Sequence, residues 1–171
     1  QIAYKDARAL LVRVDTTIWN AWLLVAYAPH SGLSWREREE WWMHLDDIVR
    51  RRSSHEPLLV MIDANASPGT GDGLSVYRDD LPTSSSTPLL RRFTTEHGLC
   101  FPCTAGCHQG PIDTWTEPTG MQCHCIDYVL LSEDLQAACT LSRVVPEFDL
   151  GHGGWDHEAT AIDLDWCISV S

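Results

Sequence analysis

Four short polar clusters, each beside an apolar run, carry the residue types that can do chemistry: Tyr27 in AYAPHSG, Asp63 and Asn65 in MIDANA, Asp127 in CIDYVLLS, and Asp156-His157 in GWDHEATAIDL. A carboxylate can orient a water or hold a hard cation, an imidazole can donate near neutral pH, and a phenol or carboxamide can hold a substrate oxygen. Taken singly each is ambiguous, because an Asp after a strand is commonly a turn residue or a helix cap. A second group is soft: Cys100-x2-Cys103-x3-Cys107-His108, then Cys123-His124-Cys125. Cys100, Cys103, Cys107, Cys123 and Cys125 at such short spacings can close a structural Zn²⁺ site. The spacing matches no standard zinc finger, and free cysteine also serves as a small buried hydrophobe, so both readings stand.

Positioning the hard cluster requires strands that end where the polar residues begin. Ala9 to Val14 (ALLVRV) and Trp22 to Ala28 (WLLVAYA) are short apolar runs, and the polar link between them predicts neighbouring antiparallel strands. Ser34 and Glu37 form a capping-box pattern, and Trp41, Leu45, Ile48 and Val49 recur on one helical face, which predicts a helix over Trp35 to Arg51. Leu58 to Ile62 (LLVMI) has the length and continuity of a strand buried on both faces. Thr87-Pro88 predicts a second helix with a cap and Pro at its first position, closed by Gly98; Ile126 to Leu131 and Ala159 to Leu164 read as further strands. The order predicts sheets flanked by helices in one α/β domain over residues 1–171, with its ligand-binding groups just beyond the strand ends.

Some features have plain readings. Arg50, Arg51 and Arg52 read as a solvated helix end, Trp41 and Trp42 as core and rim, and Gly69 to Gly73 (GTGDG), which lacks the Lys of a phosphate loop, as a turn. If the strand carrying Asp127 extends back, Cys123 and Cys125 share its face.

The chain has 171 residues, 44% hydrophobic and 21% charged, too apolar for a disordered chain and without the apolar run of a membrane span. Its net charge of -12 is uneven: up to Arg92 there are 11 basic and 12 acidic residues, and beyond it one basic residue, Arg143, faces 12 acidic ones. That excludes a conventional basic nucleic-acid binder and suits a second half that holds a divalent metal. The seven cysteines point to a reducing, intracellular compartment, the nucleus included, and an opening at Gln1 to a piece of a longer polypeptide.

The polar clusters together resemble the endonuclease/exonuclease/phosphatase family, which includes DNase I, abasic-site endonucleases and the endonuclease domains of non-LTR retrotransposons. Tyr27-Ala-Pro-His30, Ile62-Asp63-Ala64-Asn65-Ala66, Thr114-Trp115, Ile126-Asp127-Tyr128 and Asp156-His157 follow the family order across essentially the whole chain. The retrotransposon and abasic-site branch is the nearest in form.

The resemblance implies a partial domain, a four-layered α/β sandwich with its first strands missing, and phosphodiester hydrolysis dependent on Mg²⁺ or Mn²⁺. It implies that Asp63 orients or deprotonates the attacking water, Asn65 holds that water and a phosphate oxygen, and His157 donates to a nonbridging oxygen while Asp127 pairs with it. It further implies that Asp156 ligates the metal, Tyr27 bonds the phosphate, and His30 and Trp115 touch a DNA substrate. Departures are visible. The family brings an Asn and a metal-binding Glu from strands upstream, yet the 26 residues before Tyr27 contain no Glu; Ile62 stands where a Gly is usual, and Trp155 where a Ser is usual. The expected activity is therefore DNA nicking of retroelement type, best developed in a chain that carries those upstream strands. Two alternatives stay open: a phosphatase of the same fold acting on a phosphorylated lipid or small molecule, and a catalytically degenerate relic or binding module.

Overall fold

The computed structural model describes residues 1–17, 20–69, 83–148 and 156–165. Its centre is a six-stranded sheet built from β1 (Ile2–Lys5), β2 (Ala9–Asp15), β3 (Asn20–Tyr27), β4 (Leu58–Asp63), β5 (Leu99–Cys100) and β9 (Asp127–Ser132), in the order β1-β2-β3-β4-β9-β5. β2 and β3 form the expected antiparallel pair, β3 and β4 run parallel, and β4 and β9 are antiparallel.

The parallel step is made by α1 (Trp35–Val49), which crosses one face of the sheet. Its start is fixed by the capping box: the Ser34 hydroxyl accepts from the Glu37 N–H while the Glu37 carboxylate accepts from the Ser34 N–H. α1 stops at Val49 rather than Arg51. Arg50 is its cap, ion-paired with Asp46 and Glu96, and Arg52 is not a solvated residue but half-buried, donating to the Ser53 and Glu56 carbonyls. α2 (Thr87–Glu96) begins one residue earlier than the sequence pattern suggests: Ser86 is the cap, and the Thr87 hydroxyl donates to the Ser67 carbonyl at 2.6 Å. Gly98, at φ +58°, ends it in the left-handed conformation that favours glycine.

Strand parity sorts the sheet's two faces. Leu11, Leu24, Val60 and Leu130 point to the helices, where they form one dry core with Trp42, Leu45, Ile48, Leu90 and Phe93. The other face meets a three-stranded sheet, β11-β10-β6, made of β11 (Ala159–Leu164), β10 (Cys139–Val145) and β6 (His108–Gln109). A two-stranded ribbon, β7 (Trp115–Thr116) with β8 (Cys123–His124), lies beyond the start of β9, and α3 (Glu133–Gln136) follows that strand. Among the described residues, helices, large sheet and small sheet make up three of the four expected layers. No helix is long and apolar enough to cross a membrane.

The sequence pattern missed β1, β10, α3 and the short strands β5 to β8, and the strand carrying Asp127 does not extend back to Cys123. β8 ends at His124 and β9 starts at Asp127, with Cys125 buried between them and Cys123 exposed, so the two cysteines do not share a strand face. Gly69 to Gly73 falls almost wholly outside the described residues, and Trp155 does so entirely.

Candidate active site

The register of the large sheet brings three polar residues into one row. Tyr27 pairs with Asp63 across β3 and β4, and Asp63 pairs with Asp127 across β4 and β9. Paired residues on adjacent strands point to the same face, so all three side chains leave the sheet on the side away from the helices. The row sits where β3 and β4 end and β9 begins. Beneath it the same face continues through Val25, Met61 and Val129, which with Glu158, Ala159 and Thr160 line a cleft of about 340 Å³ that includes Asp63, Asp127 and His157.

His157 arrives from a distant part of the chain by backbone pairing. Thr116 N–H donates to the Asp156 carbonyl at 2.8 Å and Glu158 N–H to the Thr114 carbonyl at 2.7 Å, which locks the segment against β7. The His157 Nδ1 then lies 3.0 Å from Asp127 Oδ2, an arrangement that fixes the ring and leaves Nε2 for another partner. One ligand atom from each of Asp63, Asp127 and His157 lies within 4.8 Å of the others, the one such group of His, Cys, Asp or Glu among the described residues.

Two carboxylates this close repel, and burial adds to the cost. The Asp63 carboxyl is pushed up to about 6, first by burial and then by the Asp127 charge. Asp127 is also raised by burial, against the pull of a hydrogen bond from Thr114 and of His157. A divalent cation would relieve this repulsion, and two hard carboxylates so close together suit one.

The remaining expected residues are placed as follows. Asn65 has φ +46°; its N–H donates to Asp63 Oδ1 at 3.0 Å and its side-chain amide to the Ala28 carbonyl at 2.9 Å, so it shapes the turn carrying Asp63 and ties it to β3. Asp156, the expected metal ligand, is exposed and is not one of the three residues of that group; its carbonyl accepts from Thr116 N–H. Trp115 is half-buried, its ring 5.4 Å from that of His124 and 6.5 Å from that of His157. His30 is exposed and accepts from Gly32 N–H at 3.1 Å; a Cβ on residue 32 would stand 2.8 Å from the ring.

The five cysteines proposed for zinc do not converge. Cys103 neighbours Cys125 in the interior, Cys107 lies 3.7 Å from Cys139, Cys100 donates to Gln136, and Cys123 reaches Thr116. Cys100 is on β5, Cys123 on β8, Cys103 in the segment Pro102–Thr104, Cys107 in a turn and Cys125 between β8 and β9, and among the described residues no three of them bring their sulfurs within 4.8 Å of one another.

Two residues of the site escaped the sequence reading. Thr114 is buried, and its hydroxyl accepts from the N–H groups of Ile126 and Asp127, both at 3.0 Å, which sets the start of β9. Its place beside Trp115 in the resemblance was the available signal. Arg8 lies 4.9 Å from the centroid of the Tyr27 ring and donates to the Tyr27 carbonyl at 3.3 Å, bringing positive charge to the end of the row. No motif marks it.

No family sequence model matches the chain, and no curated protein matches it. Solved structures do. The 3' phosphatase NExo from Neisseria, bound to a product DNA hairpin, superposes with a TM-score of 0.70 at 19% identity, over 93% of this chain and 65% of that one. The chain has the endonuclease/exonuclease/phosphatase fold. The endonuclease domain of TRAS1, a telomere-specific non-LTR retrotransposon, matches at a TM-score of 0.64 and 17% identity, over 93% of this chain and 64% of that one. An endonuclease/exonuclease/phosphatase family protein from Leptotrichia buccalis gives 0.59 at 11% identity, over 92% of this chain and 53% of that one. The chain thus spans about two thirds or less of the length of these neighbours, which are nucleases, phosphatases or members of the family named for both.

Proposed function

We propose that this chain carries the hydrolytic centre of a metal-dependent phosphodiesterase whose substrate is DNA, nicked in the manner of a retroelement endonuclease. The observation that carries the reading is the Asp127–His157 pair at 3.0 Å with Asp63 in the same 4.8 Å group. Asp63, with a carboxyl near 6, is ionised at neutral pH yet basic enough to take a proton from an attacking water. His157, oriented through Nδ1 by Asp127, presents Nε2 to a phosphate oxygen and stabilises the charge that grows there. Tyr27 and Arg8, in the same row and at its end, hold a second oxygen. Asp63 and Asp127, with Asp156 close by, would hold Mg²⁺ or Mn²⁺. A bound divalent cation supplies charge neutralisation and assistance to the leaving oxygen.

A second reading, a binding module without turnover, is favoured by one observation: Asp156 stands outside the group, which leaves few ligands for an ion that gives up its waters reluctantly. Nicking of supercoiled plasmid tests both. Relaxed product that requires Mg²⁺ or Mn²⁺, stops on chelation and falls sharply in His157→Ala supports the hydrolase. Nicking indifferent to chelator or to His157 overturns that mechanism. Phosphate released from a monoester without nicking assigns a phosphatase, and DNA or magnesium binding with no turnover assigns the binding module.

A further inference from the structure

The cysteines form a chain of thiols under the cleft, and its two halves differ. Cys125 is 3% exposed and Cys103, half-buried, is hydrogen-bonded to it, so one sulfur of that pair is closed off from solvent. Cys107 and Cys139 are half-buried, with sulfurs 3.7 Å apart. Cys107 precedes β6 in the turn after the short 3₁₀ segment Pro102–Thr104, and Cys139 is the first residue of β10. Their backbones are held near each other independently of the thiols. β6 and β10 are paired with His108 opposite Ser142, Ser142 N–H donates to the Cys107 carbonyl at 3.0 Å, and the His108 Nδ1 lies 3.1 Å from the Ser142 hydroxyl.

We propose that Cys107 and Cys139 are a dithiol modification site that closes to a disulfide under mild oxidation by a peroxide. The sulfurs need to close from 3.7 Å to the ~2.0 Å of a disulfide bond, a movement available to side-chain rotation while the backbone pairing holds. Peroxide oxidises Cys107 to the sulfenic acid and leaves as water. The Cys139 sulfur then attacks the Cys107 sulfur, the S–O bond breaks, and the hydroxyl departs with the Cys139 proton as a second water. Two electrons pass from the two sulfurs to the peroxide, and two thiols become one disulfide. Burial, with Cys107 beside it, pushes the Cys139 thiol up to about 12, which disfavours its own direct oxidation by peroxide. The closed form would clamp the β6 turn to β10, the strand that pairs with β11 and so with the chain leading from His157. This site is independent of the reading of the cleft.

The test uses the whole chain in a Cys123→Ser background, which removes the most exposed thiol among the described residues. Reduced protein is treated with low hydrogen peroxide, alkylated, digested and mapped by mass spectrometry. The expected result is a Cys107–Cys139 cross-link that dithiothreitol reverses, with a melting temperature roughly 5–10 °C above the reduced form, because the bond closes a long loop. Cys139→Ser leaves Cys107 trapped as an adduct of a sulfenic-acid reagent and forms no cross-link. Full alkylation of both cysteines after oxidation, or a dominant link from either one to Cys103 or Cys125, overturns the proposal. Mapping of the unmutated pair decides it even where Cys139→Ser fails to fold.

Discussion

The two faces of the large sheet are made by the same strands and are chemically opposite. In β4, Leu58, Val60 and Ile62 face the helices and are 0–3% exposed, while Leu59, Met61 and Asp63 take the opposite parity and Met61 and Asp63 line the cleft. The helix side is closed by Trp42, Leu45, Ile48 and Leu90, and stability is stored there. The cleft side grades from Val25 and Met61 to an acidic end row whose carboxyls are raised, so it costs stability to hold. Alternation along a strand thus lets one run of six residues serve packing and chemistry at once, and a change at one parity should leave the other largely untouched.

The largest expected effect is on the cleft side. His157→Ala should lower nicking roughly 10²–10⁴-fold, the range for loss of a positioned proton or hydrogen-bond donor, with little change in melting temperature because the ring is only half-buried. DNA affinity measured beside turnover checks that the loss falls on kcat. Next comes the helix side. Leu24→Ala, at a fully buried position, should cost about 2–5 kcal/mol in urea unfolding, whereas Met61→Ala, one strand over and 36% exposed on the opposite face, should cost well under half of that. Equal costs would show that the cleft face is packed as tightly as the core.

A third prediction turns on the sign of a titration. The folded-state Asp63 carboxyl is raised to about 6 from an ordinary value of 3.8, so its contribution to stability is full below about pH 4 and is lost as pH rises through 6. Asp63→Asn removes the ionised form. The variant should therefore melt above the parent at pH 7.5, converge with it towards pH 4, and be inactive at both. Added Mg²⁺ should raise the parent's melting temperature at pH 7.5 more than the variant's. A variant that melts below the parent at pH 7.5 would mean that the bond from Asn65 N–H to Asp63, which also ties down the turn, outweighs the repulsion from Asp127.

The helix side was largely legible in the sequence because its signals are local: the capping box at Ser34 and Glu37 and the apolar run of β4 each fix an element without reference to the rest of the chain. The cleft row was legible only jointly, from the order of Tyr27, Asp63, Asn65, Asp127 and His157, since what unites them is strand register, which no local pattern encodes. β10 went unread because CTLSRVV alternates weakly and places the polar Ser142 beside Val144 on its buried face, and the separation of Cys123 from Cys125 depends on the two residues outside strand structure between β8 and β9. Arg8 was invisible for the same reason as the row: its role arises from a cross-strand neighbour 19 residues away.

The smallest expected effect belongs to Arg8, and it discriminates between two ways a cation can serve the row. If the guanidinium touches substrate, it neutralises one phosphate, and Arg8→Gln should flatten the slope of log Kd against log salt by about one unit, with binding several-fold weaker at low salt and equal to the parent at high salt. Arg8→Lys, which keeps the charge, should restore the slope. If instead Arg8 only props the Tyr27 ring, through the 4.9 Å cation–π contact and the bond to the Tyr27 carbonyl, the loss should be ~0.5–1 kcal/mol at any salt concentration and should appear equally in Tyr27→Leu. The net charge of -12 favours the first outcome, because an acidic chain that binds DNA needs each phosphate contact it has near the cleft. A salt slope unchanged in Arg8→Gln, with a loss matching Tyr27→Leu, would make Arg8 a positioning residue and leave the metal to hold the phosphate.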